Sequence, residues 1–399
     1  MAIPVRPHRH RNLLVSLVFL AASLALLFCD LGGAGRGEHQ RALRHHKAQV
    51  LATDNATVRR NVLVRTGEQR LTVELAAGPH RGARLAATNL LTGQMAIDEF
   101  YEPGDTLLLQ YALDPGNRPH QGVARGHYRL AHTLWICAGF AALLLVGSGG
   151  TGARALLSFA FAALTIWKLM IPLYLRGWNP LAVGTGVMLL LACAICFLVG
   201  GLNRRGLTAF LGTVLGLAVT LSLAWFCTGT FSLHGAVRHY SETLLYSGFP
   251  FLQLTPIFVA SIVIGCSGAV MDVAMDIASA MDELKRQNPR MSPWALVRSG
   301  LVVGRAVTGT MTTTLLLAYS SSSIAMLMLF YAQGLPLVRM VNINEVSAEI
   351  VNIVVGSIGA VSVAPFTALV GGLVWRTNAA RVAAAPAGAA RPAAAPQPV

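Results

Sequence analysis

Long uncharged apolar runs recur along this chain, and an apolar stretch of about 20 residues spans hydrocarbon as a helix that satisfies its own backbone hydrogen bonds. The candidate spans are Leu13–Phe28, Leu130–Gly147, Ala155–Leu175, Leu181–Gly200, Leu207–Cys227, Leu254–Leu284, Gly300–Gln333 and Glu349–Trp375. With 54% hydrophobic and 12% charged residues and a mean hydropathy of +0.57, lipid is the expected solvent. The run Gly300–Gln333 is longer than one crossing needs, and Ser320–Ser323 is a candidate break; one crossing plus a half-helix or interfacial extension is expected there.

The formal charge of +14 would point to nucleic acid in a soluble protein, but its distribution points elsewhere. Arg6, Arg9 and Arg11, then Arg154, Arg204 with Arg205, Lys285, Arg286, Arg290 and Arg298, and finally Arg376 and Arg381 fall in alternate loops. That is the pattern of a membrane protein whose basic loops face an anionic cytoplasmic surface. It predicts a multi-pass membrane protein with both termini cytoplasmic, the bilayer as its partner and no nucleic-acid role. The first run is read as an uncleaved anchor, with Gly33, Ala34 and Gly35 offering only weak cleavage chemistry. The tail from Ala379, almost all Ala and Pro, is expected to be disordered.

Between the first two spans the periodicity changes to two: Lys47–Ala52, Asn61–Arg65, Leu71–Ala76, Arg84–Asn89 and Thr106–Tyr111 alternate and are separated by turn formers. Five short strands predict a small closed barrel of the OB or a related type, because closure hides sheet edges. The expected fold class is therefore a mainly α membrane protein, with about eight transmembrane helices and a small exported OB-like β-barrel between the first and second spans. Its segments are a basic start and anchor (1–30), an exported mostly-β domain (31–129), helices two to five (130–228), an exported loop (229–253), helices six to eight with a polar seam (254–375) and a cytoplasmic tail (376–399).

All six cysteines lie in apolar runs, so no disulfide framework is implied, and Cys193 with Cys196 reads as helix packing. The exported histidines have no ligand spacing supported by a carboxylate or Cys. No phosphate loop, H-E-x-x-H, G-x-S-x-G or G-x-G-x-x-G after a strand occurs. No enzyme activity, cofactor or metal is expected.

The residues that need a reason are the ionisable ones inside the last three spans, each of which costs several kcal/mol, roughly, in hydrocarbon unless paired or hydrated. Gly265, Ala269, Asp272, Asp276, Ser279 and Glu283 share one helix face. Arg305, Thr308 and Thr312 form a second stripe, and Glu345, Glu349, Asn352, Gly356 and Gly359 a third. Three such faces are expected to meet in a polar seam, with Arg305 as the counter-ion of Asp272. The pair is either a static interfacial ion pair or part of a proton or cation site comprising Asp272, Asp276, Arg305, Thr308, Thr312, Glu349 and Asn352. Lys168, inside its own span, snorkels outward or pairs with Glu345 or Glu349.

The blocks GAVMDVAMDIASAMDEL (Gly268–Leu284) and GLVVGRAVTGTMTTTLLLAY (Gly300–Tyr319) resemble the YibE/F-like family of bacterial multi-pass membrane proteins. The order of anchor, exported mostly-β segment with a Gly104–Asp105 turn and clustered spans is similar too. The resemblance implies architecture and carries no residue role. The leading functional expectation is an ion- or proton-coupled transporter or permease for a small ion or solute. The alternative is an envelope scaffold or assembly protein whose β domain binds an envelope protein partner.

Overall fold

The computed structural model describes residues 9–28, 43–114 and 116–383. The chain divides into two compact units, one of residues 32–147 and the other of 1–31 with 148–399. The weak cleavage chemistry at Gly33–Gly35 and the tail beyond Ala383 lie outside the described residues.

In the first unit, strands β1 (Arg44–Asp54), β2 (Arg59–Asn61), β3 (Val64–Leu75), β4 (Arg84–Thr92), β5 (Thr106–Leu113) and β6 (Pro119–His127) form one sheet in the order β1-β5-β6-β4-β3-β2. An additional antiparallel β1–β3 ladder closes five of them into a barrel, and β4 and β6 pair in parallel. A five-strand closure with one parallel pair is a Greek-key barrel of the OB kind. Alternation drives it: β4 reads exposed and buried in turn, placing Leu85, Ala87, Asn89 and Leu91 inside. Gly122 of β6 leaves room for Leu109 of β5, whose side chain would lie 2.7 Å from an added Cβ.

The structure redraws two strand expectations. Asn61–Arg65 is no strand of its own: Asn61 ends β2, Val62 and Leu63 make the turn, and β3 starts at Val64. The closing strand β6 was not anticipated, because Gly122 and Gly126 interrupt its apolar alternation.

Two buried amides hold the loop after β4 against the barrel. Gln69 donates to the Tyr101 carbonyl (2.8 Å) and to Asn55 Oδ1 (2.9 Å), and Asn89 donates to Gln69 Oε1 (3.1 Å) and the Glu99 carbonyl (2.7 Å). The Glu99 carboxylate in turn accepts from the His127 backbone N–H and the Arg129 guanidinium. This carboxylate links the barrel wall to the residue before helix α2 (Leu130–Thr165).

The remaining elements are α1 (Arg9–Phe28), a π-helical turn (Ile166–Met170), α3 (Ile171–Leu175), α4 (Pro180–Gly200), α5 (Arg204–Thr230), α6 (Ser241–Tyr246), α7 (Leu254–Gln287), α8 (Pro293–Ala332), α9 (Leu337–Val341) and α10 (Asn344–Ala383). Among the described residues, six helical stretches are long and apolar enough to cross a membrane: Leu130–Leu175, Pro180–Gly200, Arg204–Thr230, Leu254–Gln287, Pro293–Ala332 and Asn344–Arg376. This is a membrane protein of mostly helical build.

Six such stretches stand where eight spans were expected. Leu13–Phe28 is apolar but shorter, and the two spans expected between Leu130 and Leu175 run together, interrupted at Gly149 (φ 51°, ψ −126°), a backbone geometry that Gly adopts most readily. The serines at 320–323 do not break α8, which runs 40 residues; Ser321 and Ser322 donate to the Ala318 and Tyr319 carbonyls of their own helix. Helix α10 reaches Ala383, so the first Ala residues of the expected disordered tail are helical, as the high helix propensity of Ala favours.

Burial disfavours the charge on Glu99, but Arg129 and the His127 N–H outweigh it and hold the carboxyl below its ordinary value of 4.5. The folded value is lowered, so this stabilisation is complete above the ordinary value and is lost as pH falls through the folded one. Thermal unfolding of the barrel, followed by near-ultraviolet circular dichroism, should show a melting temperature that falls on acidification below about pH 4. Glu99→Gln should lower the neutral-pH melting temperature and flatten that dependence.

Candidate functional site

Helix α7 is the centre of the helical unit. Its packed neighbours are α4, α5, α8 and α10; α4 also packs on α5, α5 on α10 and α10 on α8, which leaves the ring open between α8 and α4. Small residues permit the close approaches. A Cβ on Gly184 would lie 2.7 Å from Ala260, one on Gly304 2.9 Å from Ala364, and one on Gly359 2.1 Å from Thr220 Oγ1.

The open side of α7 carries Ser261, Gly265, Gly268, Asp272 and Asp276, all exposed in the isolated chain, while Phe258, Ile262, Cys266, Val270, Val273, Ile277 and Met281 are buried on its other sides. Helical geometry puts the two carboxyls about 6 Å apart along the axis and Asp272 about 16 Å beyond Ser261. Space beside Gly268 is open, with no atom within 4 Å of an added Cβ. The acidic stripe thus lines a lateral opening.

Arg305 is not the partner of Asp272: among the described residues neither takes part in an ion pair. Arg305 is exposed on α8, which touches α7 through Gly300 and Gly304 on a different face. Thr308 and Thr312 donate their hydroxyls to the Gly304 and Thr308 carbonyls of their own helix (2.8 and 2.9 Å). Thr312 faces an apolar groove of about 500 Å³ against Ile353, Ser357 and Val361 of α10. The third stripe divides as well, since Gly356 abuts Cys266 of α7 and Gly359 abuts Thr220 of α5. Spacing along one helix defines a face but not the neighbour it meets, so the single seam expected from three stripes does not form.

What does converge is the Leu254 end of α7 with the start of α10. Arg238, from the loop after α5, donates to Glu349 Oε2 at 3.1 Å and lies over the Phe258 ring, 5.4 Å from its centroid. The Glu349 side chain is 11% exposed and that of Arg238 40%, so the carboxylate is the buried partner. Below the pair is a cavity of about 350 Å³ whose polar lining comes from Arg238, Ser241, Ser261, Tyr319 and Asn352. The Tyr319 hydroxyl is buried, has no hydrogen-bond partner among the described residues and would be 2.8 Å from a Cβ on Gly265.

The structure therefore unites Glu349 and Asn352 with the small end of the α7 stripe and separates Arg305 and Thr312 from its acidic end. Sequence reasoning missed Arg238 and Tyr319. An Arg in a polar loop carries no burial signal, and Tyr319 reads as part of an apolar helix. Lys168 is half-buried in the π-helical turn, and the Glu349 partner proposed for it is taken by Arg238.

Removing Arg238 strands a mostly buried carboxylate. Arg238→Ala should destabilise the protein in detergent by on the order of 2 kcal/mol, a figure kept low because the guanidinium is partly exposed. Arg238→Ala with Glu349→Gln should cost less than the sum of the two single changes; additive effects would show that the pair does not couple.

The family model described as YibE/F-like protein matches residues 136–377. No curated protein and no solved structure matches. The matched region starts inside α2, contains both the lateral opening and the cavity, and leaves the barrel outside. It covers more than half of the chain, which therefore belongs to the YibE/F-like family.

Proposed function

We propose that the chain is an ion- or proton-coupled permease, in which Asp272 and Asp276 bind a proton or cation in the lateral opening of α7 and the cavity under Arg238–Glu349 is the vestibule that leads to them. The observation that carries this reading is the face of α7 itself. Two carboxyls lie in the hydrocarbon-spanning part of a helix, on its one open side, in line with a polar cavity. Lipid does not tolerate such a face, so water or a solute fills it, and a hydrated carboxylate pair in low dielectric attracts cations.

In this reading the two halves of α2 on either side of Gly149 cross separately. With α1, α4, α5, α7, α8 and α10 they make eight spans, in a bacterial cytoplasmic membrane with both termini inside. The alternation of basic loops supports that orientation, which puts Arg238 and the vestibule on the outer face and Asp272 in the inner half of the bilayer. Thr308, Thr312 and Arg305 then belong to the far wall of α8 and not to the ion site.

A second reading, an envelope scaffold, is favoured by one observation. The barrel carries an open cleft of about 540 Å³ across β1, β3, β4 and β6, lined by Thr53, Asp54, Glu68, Arg70, Thr88 and Gln121. A cleft of that size and polarity suits a segment of an envelope protein partner.

Proteoliposomes with a trapped pH-sensitive dye and an imposed membrane potential distinguish the two. The permease reading expects proton entry above that of protein-free vesicles, reduced at least tenfold by Asp272→Asn and less by Asp276→Asn. A carbodiimide specific for protonated carboxyls in apolar surroundings should label the wild-type protein at Asp272. Proton entry and labelling both unaffected by Asp272→Asn would remove the ion site and leave the scaffold reading.

A further inference from the structure

The turn between β2 and β3 is built from the wrong residues for its geometry. A two-residue hairpin loop whose first residue has positive φ calls for Gly, Asn or Asp there. This one has Val62 at φ 52°, followed by Leu63. A β-branched residue in the left-handed region is strained, and here the strain gains no packing: Val62 is 86% exposed and Leu63 79%.

The residues beside the turn add a second local cost. Arg60 and Arg65 are directly opposed cross-strand partners, with Arg59 facing Thr66 one position further along. Like charges in that relation repel. No acidic side chain pairs with any of the three among the described residues. The loop after β4, which leaves the sheet where Thr92 pairs with Thr66, adds Met95 at 72% and Ile97 at 59% exposure. One end of the barrel thus presents four exposed apolar side chains within a collar of arginines.

A chain of contacts ties this end to the start of an apolar helix. The Arg65 guanidinium stacks 3.8 Å above the centre of the Phe100 ring. Phe100 follows Glu99, whose carboxylate binds Arg129, and Arg129 immediately precedes Leu130, the first residue of a membrane-crossing stretch. At the opposite end of the same strands, the β3–β4 turn around Arg81 has no such connection among the described residues, its contacts running to Asn117, Lys47 and His46.

We propose that the Val62–Leu63 turn, with Met95 and Ile97, dips into the interfacial layer of the bilayer that α2 enters, and that Arg59, Arg60 and Arg65 bind the phosphates of anionic lipids. Apolar side chains at the tip with cationic side chains two or three residues behind match the depth order of acyl chains and headgroups. Anionic phosphates between Arg60 and Arg65 turn the cross-strand repulsion into attraction, and burial of Val62 and Leu63 accounts for the absence of Gly from the turn. The barrel is then seated on the membrane by a second contact besides its peptide link to α2, with a fixed orientation relative to the lipid surface.

The test uses the full chain with its native cysteines replaced by Ala, reconstituted in vesicles of phosphatidylethanolamine and phosphatidylglycerol. An environment-sensitive fluorophore is attached at Leu63→Cys or, as the control, at Arg81→Cys. At position 63 the emission should be blue-shifted and quenched at least twofold by lipids carrying a shallow nitroxide, with no quenching at position 81. Exchange of phosphatidylglycerol for phosphatidylcholine, or Arg59, Arg60 and Arg65 together changed to Gln, should reduce the quenching at position 63. If the cysteine-free chain does not fold, amide hydrogen exchange of residues 59–65 in the unaltered protein serves instead; it should be slower in phosphatidylglycerol vesicles than in phosphatidylcholine vesicles. A water-like emission at position 63, a blue shift without quenching (burial against protein), or exchange indifferent to lipid charge would each overturn the proposal.

Discussion

The packing of four helices around α7, with one side left open, is the constraint on which the polar chemistry of the helical unit depends. Three sides of α7 are closed by contacts so tight that Gly184, Gly300, Gly304 and Gly356 have no room for a side chain without movement of a neighbour. In hydrocarbon no solvent drives apolar side chains together, and such close approach supplies the dispersion energy that holds helices. Asp272 and Asp276 then lie on the lateral face that packing does not fill, and Arg238 with Glu349 at the end where the Arg238 loop covers Phe258.

These two places differ electrostatically. At the covered end a buried carboxylate has a cation on it, a satisfied pair that stabilises one arrangement of loop and helix. On the open face neither carboxyl is ion-paired among the described residues. An unsatisfied pair is a poor structural device and a reasonable binding site, because its free energy is lowered by whatever positive charge arrives. Glu99 and Arg129 in the barrel unit resemble the first kind, fixing the orientation of the barrel wall relative to the first residues of α2.

Much of this architecture was legible from the residues. Apolar runs of sufficient length predicted the long helices, since only hydrocarbon accommodates them, and period-two alternation predicted a small closed sheet. The acidic stripe of α7 was legible because helical period alone decides which residues share a face. The turn at Val62–Leu63 was not, because its side chains are those of a strand and nothing local marks a hairpin without Gly or Asn. Strand β6 was hidden by its glycines, and the continuity of α8 was obscured by serines that bond back to their own helix.

Sequence by itself determined the solvent of this protein, the kind of its secondary elements and the faces on which its charges lie, because these follow from local composition and from the fixed periods of helix and strand. Only the tertiary structure decided which faces meet. It gave Glu349 to Arg238 instead of Lys168, turned Arg305 away from Asp272 and closed β1 onto β3. Those outcomes depend on rotation and register between elements distant in the chain, quantities set by the summed fit of many small side chains and carried by no single residue.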